Sequence, residues 1–375
     1  MQRRAAPLIA MLALASTLVA CSDAAPVETP LTEDALAAVG ENPGAPDEQL
    51  ARQLDELFTD ETLGETRAAV VLYNGQIAAE RYAPGYDADT RFVSWSMAKT
   101  VTAVMIGMLV ADGQLQLDES PPIPGWQRPG DPRGAITLRQ LLQMRSGLRH
   151  TEAGDPPYES SEVRMLFLDG RDDMAKWAEE QPLEAEPGSR FEYSSATTVI
   201  LADIAARVLA RGSDDPELRR RAVDDFLDAR LFDPLGMDSV VPEYDASGTL
   251  IGGSLIHATA RDWGKFGEFL RNGGSAGGAQ LVPRKWIEFM TRPSPRSAFY
   301  GAQTWLNTEA DRAEDALHPM AEPAGLFAAV GHMGQYVLVS PRQRLTVVRL
   351  GHSDADERKV LLRQLADIVA LYPER

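Results

Sequence analysis

Residues 92–110 read FVSWSMAKTVTAVMIGMLV, a run that carries one charge. Lys99 stands three residues after Ser96, in a segment whose apolar and small residues cover every face of a helix. Such a helix belongs in the interior. Burying an unpaired ammonium is expensive, and the usual outcome is a depressed pKa and a neutral amine. Positions i and i+3 share a helix face, so the amine and the Ser96 hydroxyl can open into one cleft as base and nucleophile. The plainer alternative is a small core serine with a lysine snorkelling outward. Ser-x-x-Lys is expected about once by chance in a chain of ordinary composition, and it occurs once here. Lysine is scarce, however, with five against 32 arginines. Only lysine can give up its proton.

On the N-terminal side of this run, TRAAVVLYNGQIAAERY (residues 66–82) reads as two strands joined by Asn74-Gly75, a strong two-residue hairpin signal. DEQLARQLDELF (47–58) has helical leucine spacing. On the C-terminal side come a loop with five prolines (121–132) and the amphipathic ITLRQLLQMRSGL (136–148). A loop at 150–157 follows, then helical patterns at 174–180, 197–209, 216–230 and 261–272. The period changes back to strands in SAFYGAQTWLN (297–307), AAVGHMGQYVLVS (328–340) and RLTVVRLG (344–351). A helix at 356–371 follows these strands. Strands near both ends and helices between them predict an α+β fold. Its antiparallel sheet is flanked by helices from both ends of the chain, with a helical lobe inserted. The sheet lobe takes residues 60–95 and 285–375, and the helical lobe about 105–270.

The chain has 375 residues and a formal charge of -18, with no Lys/Arg-rich run, so nucleic acid is not an expected partner. Arg3 and Arg4 precede an uncharged stretch at 5–20 that is too short to span a membrane and reads as an export signal. Leu18-Val19-Ala20-Cys21 resembles the bacterial lipoprotein processing motif, and Cys21 is the only cysteine. That resemblance implies removal of residues 1–20, lipidation of Cys21, a flexible tether over 21–46 and a domain over 47–375. The protein would be exported to the periplasmic side of a bacterial membrane. Ser22 after the cysteine fits the outer membrane. A plain signal peptide or an uncleaved short anchor are the alternatives.

Two further elements complete a constellation. Tyr193-Ser194-Ser195 falls just before a helix, where a phenol acidified by Lys99 could relay a proton. A packed Tyr with a Ser N-cap is the plainer reading. VGHMGQY (330–336) reads as a strand whose small residues let a ligand approach the backbone. One of its N–H groups, beside that of the nucleophile, could bind an oxyanion.

Ser96-Met97-Ala98-Lys99, Tyr193-Ser194-Ser195 and His332-Met333-Gly334 resemble, in order and spacing, the three motifs of the serine β-lactamase and penicillin-binding protein superfamily. The resemblance covers about residues 65–365. Within it, SMAK, ATARDWGKFG and HMGQY lean toward the 6-aminohexanoate-dimer hydrolases and family VIII-type esterases. It implies a β-lactamase/transpeptidase-like fold and a cofactor-free, metal-free serine hydrolase acting on a small ester or amide. Ser96 would be acylated, and Lys99 would be its base or would lower the pKa of Tyr193. Tyr193 would protonate the leaving group and then activate water. The N–H groups of Ser96 and Gln335 would hold the oxyanion. Ser195, His332 and Gly334 would line the substrate cleft, with Tyr158 reaching it from the loop after His150.

Two departures bear on specificity. The second motif usually ends in Asn, and here it ends in Ser195. The third usually begins with Lys, and here it begins with His332, which is largely neutral at pH 7. Both changes weaken recognition of penicillin-like anions, and an acidic chain does not attract anions. Esterase or linear amidase therefore ranks above β-lactamase, and β-lactamase above DD-peptidase. A non-catalytic ligand-binding lipoprotein of the same fold is the other reading. An α/β-hydrolase does not fit, because the strands do not alternate with helices. The five histidines do not cluster at metal-ligand spacing.

Overall fold

Asn74 and Gly75 both adopt positive φ, 50° and 80°, as a two-residue hairpin requires. They join strand β1 (Glu65–Tyr73) to β2 (Gln76–Tyr82). The computed structural model containing this hairpin describes residues 30–308, 316–317, 320, 323 and 325–374. Cys21 and the export-like segment lie outside the described residues.

Three short strands form a small sheet near the nucleophile: β3 (Arg91–Val93), β4 (Val241–Pro242) and β5 (Ile256–Thr259), in the order β3-β5-β4. The main sheet adds β6 (Trp305–Leu306), β7 (Phe327–Gly331), β8 (Gln335–Ser340) and β9 (Leu345–His352) to the hairpin. Its order is β2-β1-β9-β8-β7-β6, antiparallel throughout. Successive side chains of a strand face opposite ways. Ala68, Val70 and Leu72 of β1 thus enter the large core that contains Phe266 and Phe269. Ala69 and Val71 enter a second core with Leu50, Leu54, Leu365 and Ile368. Those leucines and Ile368 come from α1 (Asp47–Thr59) and from the C-terminal helix Glu357–Ala370. Both faces of the sheet are therefore covered, which is why its central strands read as unbroken apolar runs.

The run that opened the sequence reading becomes α2 (Ala98–Ala111), with 12 residues buried. It packs on α3 (Ser195–Leu209), the centre of the helical lobe. The structure has the architecture expected, and it differs in three local respects. AAVGHMGQYVLVS is two strands rather than one. Met333 and Gly334 take φ of 58° and 81°, so residues 332–334 turn the chain and β7 pairs back on β8. In SAFYGAQTWLN only Trp305 and Leu306 form a strand. The preceding Gln303 is buried at φ 59° and its amide donates to the Leu142 carbonyl (3.0 Å). Finally, residues 32–40, expected within the tether, are packed on the domain. Thr32 caps the helix Glu33–Ala37. Gly40 N–H then donates to Ala78 O (2.8 Å) and Glu80 N–H to Ala38 O (2.8 Å), which covers the outer edge of β2.

Arg349 in β9 is fully buried, and burial pulls its guanidinium down to about 10. Every nitrogen is satisfied: Nε by Thr66 Oγ1 (3.0 Å), Nη1 by Gly334 O (2.9 Å), and Nη2 by Ser353 Oγ (2.8 Å) and Glu65 O (3.1 Å). It ties the 332–334 turn to the central strands. Among the described residues no helix is long and apolar enough to cross a membrane.

Candidate active site

Ser96 lies in a single 3-10 turn, Trp95–Met97, that leads into α2. Its approach is pinned from behind: Ser94 N–H donates to Ile256 O (2.9 Å), and Ser94 Oγ accepts from Ile256 N–H (3.1 Å). Trp95 takes φ 45°, a strained conformation for a bulky residue and one that persists only where its surroundings enforce it.

Lys99, 1% exposed, meets three oxygens at hydrogen-bond distance. They are Ser96 Oγ (2.8 Å), Ser195 Oγ (2.7 Å) and the Gly253 carbonyl (2.7 Å). Burial lowers its pKa, opposed by the Glu152 and Glu162 carboxylates. A neutral amine has two N–H donors and one lone pair. Gly253 O can only accept, so one donor goes there. With the other on Ser195, the lone pair faces the Ser96 O–H.

Sequence reasoning missed what stands behind Lys99. Ser195 is fully buried, and its hydroxyl meets Glu152 Oε1 at 2.5 Å and Glu162 Oε1 at 3.1 Å. Glu152 also accepts from Ser195 N–H (2.8 Å) and His150 Nε2 (2.6 Å), and its Oε1 lies 3.9 Å from Lys99 Nζ. A hydroxyl has one proton to give and two lone pairs. If Ser195 accepts from Lys99 and donates to Glu152, its contact with Glu162 is satisfied only when Glu162 carries a proton. The electrostatic surroundings agree. Burial and the neighbouring Glu152 push Glu162 up to about 7. Lys99 and the hydrogen bonds from His150 and Ser195 outweigh burial at Glu152 and hold it down at about 2.

Glu162 carries a pH signature of its own. Folded chains bind its proton up to about pH 7, unfolded ones only up to about pH 4.5. The stability this proton confers is full below pH 4.5 and is lost as pH rises through 7. Glu152 acts in a lower window, losing its contribution as pH falls from 4.5 toward 2. Glu162→Gln should abolish the decline in stability between pH 4.5 and 7, a change on the order of 3 kcal/mol. Urea titrations at a series of pH values check this, and an unchanged slope would refute the protonated Glu162.

Tyr193 sits just before α3. The Ser96 side chain is near enough to act on its phenol, and its ring lies 5.0 Å from Lys99 Nζ and packs on Tyr300 and Trp305. The sequence reading expected an acidified phenol. Instead burial, Tyr300 and Glu152 raise its pKa well above the ordinary value despite the opposing effect of Ser96, so it rests as a neutral phenol.

The remaining expected residues are placed differently. Gly331, at the end of β7, comes so close to the nucleophile's segment that a Cβ there would lie 2.2 Å from Ser94 O. His332, next in the chain, sets its ring edge-on to Trp95 at 5.6 Å. Burial, Arg358 and His352 lower its pKa and keep it neutral at pH 7. Gln335 closes the three-residue turn opposite Gly331, so its N–H belongs to the hairpin and does not face Ser96. Its side chain braces the turn, donating to His332 O (3.0 Å) and Gly351 O (2.7 Å). Gly334 gives its carbonyl to Arg349, and a Cβ there would meet that guanidinium rather than the cleft. Ser195 faces Lys99 and the two glutamates, not an open cleft. Tyr158 is 61% exposed on the turn Pro157–Glu159 and is not brought to Ser96. Among the described residues no group of three His, Cys, Asp or Glu is placed to hold a metal ion.

Comparison with known proteins gives one consistent picture. A family model described as Beta-lactamase matches residues 60–370. The 6-aminohexanoate-dimer hydrolase of Paenarthrobacter ureafaciens is 26% identical, over 89% of this chain and 81% of that protein. Esterase EstB of Burkholderia gladioli is 29% identical over half of each chain. The crystal structure of a family VIII carboxylesterase superposes with a TM-score of 0.59 at 17% identity, covering 84% of this chain and 95% of that one.

Proposed function

Since the chain belongs to the Beta-lactamase family and is a serine hydrolase, we propose that it cleaves a small ester or linear amide through an acyl-enzyme on Ser96. The observation that carries this is the placement of Lys99, buried, with its lone pair free to face the Ser96 hydroxyl once Gly253 and Ser195 take its two N–H groups. Ser96 Oγ attacks the carbonyl carbon while its proton passes to Lys99. The carbonyl oxygen becomes an oxyanion held by backbone N–H groups. Ser96 supplies one. His332 rather than Gln335 supplies the other, because it is the first residue beyond Gly331 on the side of β7 that meets the nucleophile's turn. Tyr193 gives its proton to the departing oxygen or nitrogen and recovers one from Lys99. Water then enters, losing its proton to the same pair, and the ester to Ser96 is hydrolysed.

The neutral His332 favours esters and linear amides over anionic β-lactams. The relatives are named as both amide-dimer hydrolase and esterase, and the choice of substrate within that range is this proposal's own. The pattern of residues 1–21 supports an exported, lipid-anchored enzyme. The test is intact-mass analysis after exposure to 4-nitrophenyl butyrate and to a fluorophosphonate. We expect an adduct on Ser96 in the wild type and none in Ser96→Ala. An adduct of equal size in both would refute it.

A further inference from the structure

We propose that the cavity on the Trp95–His332 side of Ser96 is an acyl subsite for a substrate whose acyl chain ends in a carboxylate. This rests on the hydrolase reading above, which fixes the near end of the acyl chain at Ser96. The cavity holds about 560 Å³ and begins at Trp95, the residue before the nucleophile. A second cavity of about 380 Å³ is lined by Phe191, Tyr193 and Trp305 and shares no lining residue with the first. Tyr193 protonates the leaving atom, so the leaving group departs on its side. The acyl chain then has the Trp95 side to itself.

The lining of that cavity has an apolar part and a basic part. Trp95 and the stacked pair Tyr86–Phe92 (5.7 Å, 28°) form the apolar part. None of the twelve lining residues is acidic, and five are Arg or His. In a chain with 55 acidic and 37 basic residues this is a local reversal of sign. The acidic composition that argued against anions from sequence does not describe this cavity.

Two of the basic side chains are already matched. Arg67 is paired with Glu65 (2.7 Å) and lies over the Tyr86 ring, and His257 is paired with Glu243 (2.6 Å). Arg91 is different. Its Nε donates to Ser239 O (2.6 Å), which fixes the base of the fork. Among the described residues no carboxylate lies within ion-pair distance of it. Both terminal nitrogens are therefore available for a bidentate carboxylate.

Three 4-nitrophenyl esters of matched length test this: hexanoate (neutral end), hydrogen adipate (carboxylate end) and 6-aminohexanoate (ammonium end). The adipate should have kcat/KM about tenfold or more above the hexanoate, and the 6-aminohexanoate should fall below both. The preference should shrink with added salt. Arg91→Gln should lower the adipate-to-hexanoate ratio about tenfold, and Arg91→Lys should retain part of it. Ser96-dependent turnover with no adipate preference, or a ratio untouched by Arg91→Gln, would overturn the subsite and leave the hydrolase reading standing. If no ester turns over, that reading fails, and binding of monomethyl adipate to the Ser96→Ala protein decides the subsite alone. Saturable binding weakened by Arg91→Gln supports it, and its absence overturns it.

Discussion

Lys99→Met is expected to lower kcat by roughly 10³-fold or more, with fluorophosphonate labelling of Ser96 slowed in parallel. Methionine fills nearly the same volume, so the loss is one of proton acceptance rather than of packing. The variant should also be destabilised, because Ser195 and the Gly253 carbonyl each lose a buried donor, at about 1–3 kcal/mol for each group left unsatisfied. A loss of activity far larger than that loss of stability distinguishes a base from a structural hydrogen-bond donor. Activity within tenfold of wild type in Lys99→Met would remove Lys99 from the chemistry.

Tyr193→Phe should reduce kcat by about 10²- to 10⁴-fold while leaving the melting temperature nearly unchanged. The phenyl ring keeps its contacts with Tyr300 and Trp305, and only the hydroxyl beside Ser96 is lost. The deficit should be larger for an amide than for a 4-nitrophenyl ester, because nitrophenolate departs without a proton and an amine does not. Equal loss on both would mean that Tyr193 acts on the water step alone. No loss on either would reduce it to a packing residue.

The parts of this molecule legible in sequence are those written in local patterns. Asn74-Gly75 carried its turn because the positive φ of both residues is a property of the dipeptide. The helix after Ser96 was readable because a run apolar on all sides has one stable environment. Lys99 stood out as the single charge in it. What sequence did not show depends on distant segments meeting. Glu152 and Glu162 lie in a loop and a short helix, HTEAGDPPYESSEV, with no periodicity that aims them anywhere. They matter because α3 brings Ser195 between them and Lys99. Ser195 was read as facing substrate because a motif fixes spacing and does not fix the direction of a hydroxyl. The turn at 332–334 reads as strand because the valines and tyrosine on either side of it are good strand formers. The left-handed Met333 is imposed by tertiary pairing rather than by propensity.

The pairing of β1 with β9 has a temporal consequence. These strands, joined from Glu65↔His352 to Tyr73↔Leu345 with a bulge at Arg67, are far apart in the sequence. During synthesis β1 must wait, with one edge unsatisfied, until β9 has been made. Arg349, which secures the turn beside the nucleophile, arrives with β9. A nascent chain can therefore hold Ser96 and Lys99 one turn apart and still lack the braced 332–334 turn beside them. Such a topology folds slowly and exposes sticky strand edges while it does so. It also means that the site is complete only once β9 has docked beside β1.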